Sequence, residues 1–185
     1  ARLVALDRDA ETMARAREAL AGYGDRVGFV HADFREIPAQ LGAERADGIL
    51  LDLGVSSVQL DTAERGFSFQ ADGPLDMRLD RSQGETAADV VNEMGEEDLA
   101  DVIYRFGEDR ASRRIARAIV SARRQHRIET TGELAAIVRR ASPPLLNESG
   151  IGSPHHGSHR WWLAGLAGAL STLLFSVLLV TLSSR

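Results

Sequence analysis

Three nearly continuous apolar runs fill the first third of the chain, and each meets a polar residue at or just past its end. "RLVAL" at Arg2 to Leu6 runs into Asp7, "RVGFVH" at Arg26 to His31 is followed by Asp33, and "DGILLDL" at Asp47 to Leu53 carries Asp52. Apolar content with no polar alternation fits the strands of a parallel sheet covered on both faces. Between the first two runs lies a helical stretch from about Ala10 to Ala21, with Met13, Ala16, Ala19 and Leu20 spaced for one apolar face. Asp9 is placed as its N-cap and "GYGD" ends it. A shorter helical connection, around Glu36 to Leu41, precedes the third run. Strand, helix, strand, helix, strand predicts an α/β fold with right-handed crossovers.

A chain of 185 residues with 44% hydrophobic content is long enough for one domain with a small subdomain. The net charge of -5 excludes a protein that is basic all over, while leaving room for local basic clusters. Cysteine is absent, so disulfides and thiolate metal sites are excluded. The 22 basic residues are all Arg, a bias that lowers the weight of any single arginine. The first residue, Ala1, sits inside a predicted strand, so the chain is expected to begin partway through a larger protein.

From about Asp61 the pattern changes. "ERGFSFQADGPLDMRLDRSQGE" has no period and is rich in Gly, Asp and Arg, as expected of a long ordered loop. Helices are predicted at roughly Ala87 to Asn92, Glu96 to Phe106, Glu108 to Gln125 and Thr131 to Arg140. With no strands between them they read as a helical insertion in the α/β domain. Residues 142 to 160 form a Pro/Gly/Ser/His linker. Residues Trp161 to Leu182 then make a charge-free run of 22, flanked by Arg160 and Arg185 and opening on two tryptophans. At about 1.5 Å per residue an apolar helix of that length can span a hydrocarbon core of roughly 30 Å. His155, His156 and His159 lie in the linker with no ordering partners, so no metal site is expected.

The strand ends carry the chemistry. Ligands of open α/β sheets bind outside the carboxyl ends of the strands, where an acid accepts ribose hydroxyls; Asp7 has that position, and the helix-capping alternative is better filled by Asp9. In "HADF", Phe34 can flank a purine and Asp33 can accept from an exocyclic amine, or Phe34 covers the core and Asp33 caps the next turn. At the third end, Asp52 is followed by Gly54, which allows close approach, and by Ser56, Ser57 and Gln59 as hydrogen-bonding groups. Polar groups at three successive strand ends predict a ligand rim. A nicotinamide enzyme could share Asp7, but no Gly-rich turn is visible before it.

The segments "LDRD" at Leu6 to Asp9, "DGILLDLGVSSVQLD" at Asp47 to Asp61, "AERGFSFQADGPLDMRLD" at Ala63 to Asp80 and "RIARAIV" at Arg114 to Val120 resemble the ribosomal RNA small subunit methyltransferase H family over about Ala1 to Ala141. The resemblance implies an S-adenosylmethionine-dependent enzyme that methylates the N4 amine of a cytidine in 16S rRNA, with the small ribosomal subunit as partner and a cytoplasmic location. It implies cofactor contacts from Asp7, Phe34, Asp52 and Gln59. Val58 stands where many relatives have proline, which stiffens the loop less. Asp52, or a backbone carbonyl between Leu53 and Val55, is the candidate acceptor for the amine during methyl transfer. The loop Arg65 to Arg78 would close over cofactor and base through Phe67, Phe69 and Met77, or be pinned to the surface by the same side chains. On the helix from Glu108, a stripe of Ala111, Ile115, Ala118, Ile119 and Ala122 leaves Arg110, Arg113, Arg114, Arg117 and Arg124 for an RNA backbone, or for pairing with the many acids.

The fold expected from the resemblance is α/β: a partial Rossmann-like methyltransferase domain over 1–60, lacking its first strand and its later strands, a loop and helical insertion over 61–141, and a C-terminal apolar helix over 161–182. The strands ending at Asp7 and Asp52 would then share no neighbour, and the chain alone would not turn over. A frameshift or join after about Ala141 accounts for the abrupt change better than a membrane anchor. The alternative is an inactive membrane-tethered nucleotide- or RNA-binding remnant.

Overall fold

The computed structural model describes residues 2–52, 54–69, 71–142 and 177–182. The first elements are β1 (Arg2–Asp7), α1 (Ala10–Ala19), β2 (Val27–His31), α2 (Ile37–Leu41) and β3 (Ala46–Asp52). Next come α3 (Ser57–Asp61), α4 (Ala87–Glu93), α5 (Glu96–Gly107), α6 (Ser112–Arg123), α7 (Thr131–Ala141) and β4 (Val177–Leu182). The chain divides into two compact units, one taking in Ala1–Val55, Leu79–Gly84 and the β4 segment, the other Ser56–Arg78 and the helices from Glu85 onward.

The first unit is a four-stranded sheet in the order β2-β1-β4-β3. β1 and β2 pair in parallel, from Leu3 beside Val27 to Asp7 beside His31, with α1 as their connection. As expected, Asp9 caps α1, its Oδ1 accepting the Glu11 N–H at 3.0 Å. The apolar cover gathers around Leu6 and Ala32, against which Val4, Val30, Ile37, Leu41 and Ala46 pack.

Three sequence expectations are corrected in this unit. The sheet is mixed: β4 pairs antiparallel with both β1 and β3, so those two strands do share a neighbour. The "VLLVTL" of β4 is rich in residues that favour a pleated surface, and it satisfies two ladder edges that would otherwise lie open. The C-terminal apolar helix is likewise replaced over Val177–Leu182 by that strand; the rest of the apolar run, residues 161–176, lies outside the described residues, as does the linker from residue 143 onward. Among the described residues no helix is long and apolar enough to cross a membrane. Finally, β3, the edge strand beyond β4, is not covered on both faces: Ile49, Leu50 and Leu51 are 54%, 60% and 50% exposed.

The second unit is helical. Leu75, Met77, Leu99, Ile103, Ile115, Ile119, Ile128 and Leu134 are fully buried in it. Helix boundaries follow capping chemistry. Thr86 and Thr130 close capping boxes with Asp89 and Glu133 at the starts of α4 and α7. Helix α6 begins at Ser112 rather than Glu108: Glu108 adopts a left-handed conformation (φ 51°) and ends α5, and the Asp109 carboxylate accepts the Ala111 N–H at 2.7 Å. Its buried stripe is Ser112, Ile115, Ala116, Ile119 and Val120, shifted from the one expected around Ala111, Ala118 and Ala122, because the helix packs against α4, α5 and α7.

The long loop is pinned. Leu75 N–H donates to the Glu129 carbonyl (2.8 Å), Thr131 N–H to the Gly73 carbonyl (2.9 Å), and Ala87 N–H to the Asp76 carbonyl (2.8 Å). The Asp72 carboxylate accepts the Gly132 N–H at 2.8 Å. Phe67 and Met77 are buried in the unit's core, so they hold the loop down. Gly66 sits at φ 74°, where a Cβ would collide with the Pro74 carbonyl. Gly66→Ala is therefore expected to cost about 2 kcal/mol or more in urea unfolding, from left-handed strain plus overpacking, while Gly22→Ala, with open space around it, changes stability by less than about 0.5 kcal/mol.

Candidate functional site

The sheet register builds the rim. Val177 partners Asp7 on one side and Asp52 on the other, and Asp7 partners His31. One rung of the sheet therefore reads His31, Asp7, Val177, Asp52. Both β1 and β3 run opposite to β4, hence in the same direction, so both acids stand at carboxyl ends of strands on one edge. At a strand spacing of about 4.8 Å, the backbones of Asp7 and Asp52 lie two spacings, roughly 10 Å, apart.

Asp7 is buried. Its Oδ1 accepts the Asp9 N–H at 2.8 Å. Burial is the main influence on its carboxyl and raises the pKa to about 6, with the Asp9 N–H opposing and the Asp9 charge adding. Asp33 shows the opposite balance. Burial alone would raise it, but the hydrogen bonds and charge of Arg35, joined by the charge of Arg8, hold it below the usual carboxylate range. Arg8 Nη1 meets Asp33 Oδ2 at 3.0 Å, and Arg35 Nε meets Oδ1 at 2.9 Å. Asp33 also caps the turn at Phe34–Glu36 in a capping box with Glu36, so of its two sequence readings the structure shows the capping one.

Phe34 opens that turn, three residues past β2, and is half-buried. Asp52 is exposed at the last position of β3. Gln59 belongs to the second unit, where it is buried and its Oε1 accepts the Ser56 N–H at 2.9 Å in the capping box of α3. Thus the structure brings Asp7 and Asp52 onto one rung with Phe34 just beyond the neighbouring strand, and gives Gln59 a helix-capping bond within the second unit.

Arg110, Arg113, Arg114, Arg117 and Arg124 are exposed. Arg117 meets Glu96 at 3.4 Å; Arg110, Arg113, Arg114 and Arg124 have no acidic partner within ion-pair distance among the described residues. Sequence reasoning missed two groups near the rim. Arg8 ties the end of β1 to Asp33, a pairing across 25 residues that only the parallel register reveals. Asp80 lies close enough to His31 to feel its charge, while Ser82 and Gln83 hydrogen-bond to it. Among the described residues no cluster of metal-ligating side chains occurs.

The raised pKa of Asp7 gives a pH test. Because the folded state holds the proton more tightly than the unfolded chain, it binds more protons between about pH 4 and 6, and stability falls as pH rises through that window. Asp7→Asn keeps an acceptor for the Asp9 N–H without the charge. It is expected to be more stable than the native chain at pH 7 to 8, with the gain shrinking below about pH 6 and gone near pH 4; thermal melts across pH check this, and an Asn variant that is less stable at pH 7 contradicts it.

Comparison with known proteins adds the following. Residues 1–155 match the family model described as the MraW methylase family, which reaches past Ala141 into the Pro/Gly/Ser/His segment. The chain is similar to the Ribosomal RNA small subunit methyltransferase H of Cereibacter sphaeroides, 54% identical over 142 residues, covering 77% of this chain and 42% of that relative. It is 49% identical over 152 residues to the protein of the same name from Thermobifida fusca (80% and 46%). It is 47% identical over 157 residues to the one from Brevibacillus brevis (83% and 49%). The chain spans somewhat less than half the length of these curated relatives.

Proposed function

The chain belongs to the MraW methylase family, and from that premise we propose that its sheet rim holds the nucleoside of S-adenosylmethionine and serves methyl transfer to the N4 amine of a cytidine in 16S rRNA. The observation that carries this reading is the shared rung: two acids at the carboxyl ends of strands running the same way, flanking Val177. The donor set fits a nucleoside with a cationic sulfur better than a phosphate. Asp7 and Asp52 present carboxylates, Asp33 is already neutralised by Arg8 and Arg35, and acids at a rim repel an anion.

When bound, S-adenosylmethionine supplies an electrophilic methyl group on its sulfonium. Asp7 accepts the ribose hydroxyls, a role for which its charged form is needed, and Phe34 flanks the purine. The cytosine amine is a weak nucleophile because its lone pair is delocalised into the ring. Asp52 would accept a hydrogen bond from that amine, localise the lone pair as nitrogen becomes tetrahedral, and take the proton released as the N–C bond forms and the methyl–sulfur bond breaks to leave a neutral thioether. The exposed end of β3 leaves Asp52 accessible to a base drawn out of its stack. Gln59 is assigned to the cofactor as well, through its position in the family segment, in addition to its capping bond. The arginines on and just before α6 hold RNA phosphates, with Arg110, Arg113 and Arg114 less committed to acids than Arg117. A cytoplasmic setting follows from an rRNA substrate, and the division of labour is a cofactor-binding part over 1–60 and an RNA-facing part over 61–141.

In a complete family enzyme carrying this segment, Asp52→Asn is expected to keep the shape of the site and lower methyl transfer to small-subunit RNA by roughly 10²-fold or more. Native turnover together with native cofactor affinity would remove both roles of Asp52. Charge reversal at Arg113 and Arg114 is expected to weaken RNA binding and flatten its dependence on salt by about 0.7 to 0.9 for each phosphate no longer gripped. An unchanged salt slope removes the RNA grip.

A further inference from the structure

We propose that the tip of the α5–α6 hairpin is a stacking platform for unpaired RNA bases, with Tyr104 and Phe106 as the stacking side chains and Arg110, Arg113 and Arg114 holding the phosphates. The proposal rests on the RNA reading above and goes beyond it by stating which form of RNA the helical unit prefers and which side chains make the choice.

Tyr104 is 59% exposed and Phe106 is 44% exposed. The buried residues of α5 are Leu99, Ala100 and Ile103, and neither ring is among them. Residues two apart on a helix project to different sides, so the two rings flank Ile103 rather than cover one another, and each offers a face to its own base. Both stand in the last turn of α5, and the short turn from Glu108 to Ala111 brings the start of α6 beside them. The turn is fixed by the left-handed Glu108 and by the hydrogen bond from Ala111 N–H to Asp109.

Charge selects the class of partner. Arg110, Arg113 and Arg114 are exposed and have no acidic partner within ion-pair distance among the described residues. Of the tip's acids, Asp101 meets Arg105 at 3.6 Å and Asp109 is engaged by the turn, which leaves Glu108. Cations beside solvent-facing aromatic rings match a strand that carries phosphates and has unstacked bases. A duplex would use the arginines and leave the rings wet, because its bases are already stacked. An acidic peptide would likewise leave the rings unused.

The test uses the purified full chain and a single-stranded RNA of about 12 nucleotides, within the usual site size, carrying one 2-aminopurine, compared with the same sequence as a duplex. Tyr104→Leu and Phe106→Leu keep exposed bulk and helix propensity, and melting temperatures confirm that the variants fold. The double variant is expected to lose about 10-fold or more in affinity for the single strand, to abolish 2-aminopurine quenching, and to keep both the salt slope and the duplex affinity. Native affinity and quenching in the leucine variants, with binding still weakened on charge reversal at Arg113 and Arg114, overturns the stacking platform and leaves the RNA grip standing. Absence of RNA binding by the native chain overturns both. Leucine variants that turn a dimer into a monomer without changing RNA affinity assign the rings to self-association and overturn the proposal.

Discussion

Cross-strand register at the end of the sheet governs the rest of the site. Because β4 runs against both β1 and β3, and Val177 partners Asp7 and Asp52 at once, two acids far apart in sequence stand on one edge, at the ends of strands that share a direction. A shift of one residue in either pairing would move a carboxylate to the other face and off the rung. Desolvation then sets Asp7 apart: its neighbours bury it without offering an arginine, whereas Asp33 is gripped by two. Asp7 is thus held by the Asp9 N–H with no arginine side chain paired to it among the described residues.

Charge is arranged locally. Acids stand at the strand ends of the sheet, and several arginines on and beside α6 have no acidic partner among the described residues. A negative net charge for the whole chain excludes only a protein basic throughout, and whether an arginine is available depends on its neighbours. Glu96 claims Arg117, so Arg110, Arg113, Arg114 and Arg124 remain for an external anion, and the first three lie at the hairpin tip.

Much of the fold was legible because local rules decided it. The boundaries of α4, α5 and α7 follow from Thr, Gly and acidic first turns, and β1, β2 and β3 from apolar runs closed by polar residues. What was not legible depended on distant partners. The pairing of β4 joins residues more than a hundred positions apart, and no periodicity in a long apolar run distinguishes a strand from a helix. The α6 stripe was misplaced because small residues such as Ala116 and Ala118 carry little hydrophobic signal, and packing on three helices chose among them. Phe67 and Met77 can be read in sequence as ligand contacts or as pins for the loop, and their burial shows the pinning. At the rim, Asp7, Phe34 and Asp52 could be named from strand ends, while Arg8 could not, since its partner Asp33 comes near only through the parallel register.

In the proposed function Asp7 is the ribose acceptor of the sheet rim. Isothermal titration of S-adenosylhomocysteine into the native chain and into Asp7→Ala at pH 7.5 measures that directly. Binding by the native chain that weakens about 10-fold or more in the variant, as expected for removing a charged hydrogen-bond partner, is the predicted result. Equal affinity in the two proteins would contradict it.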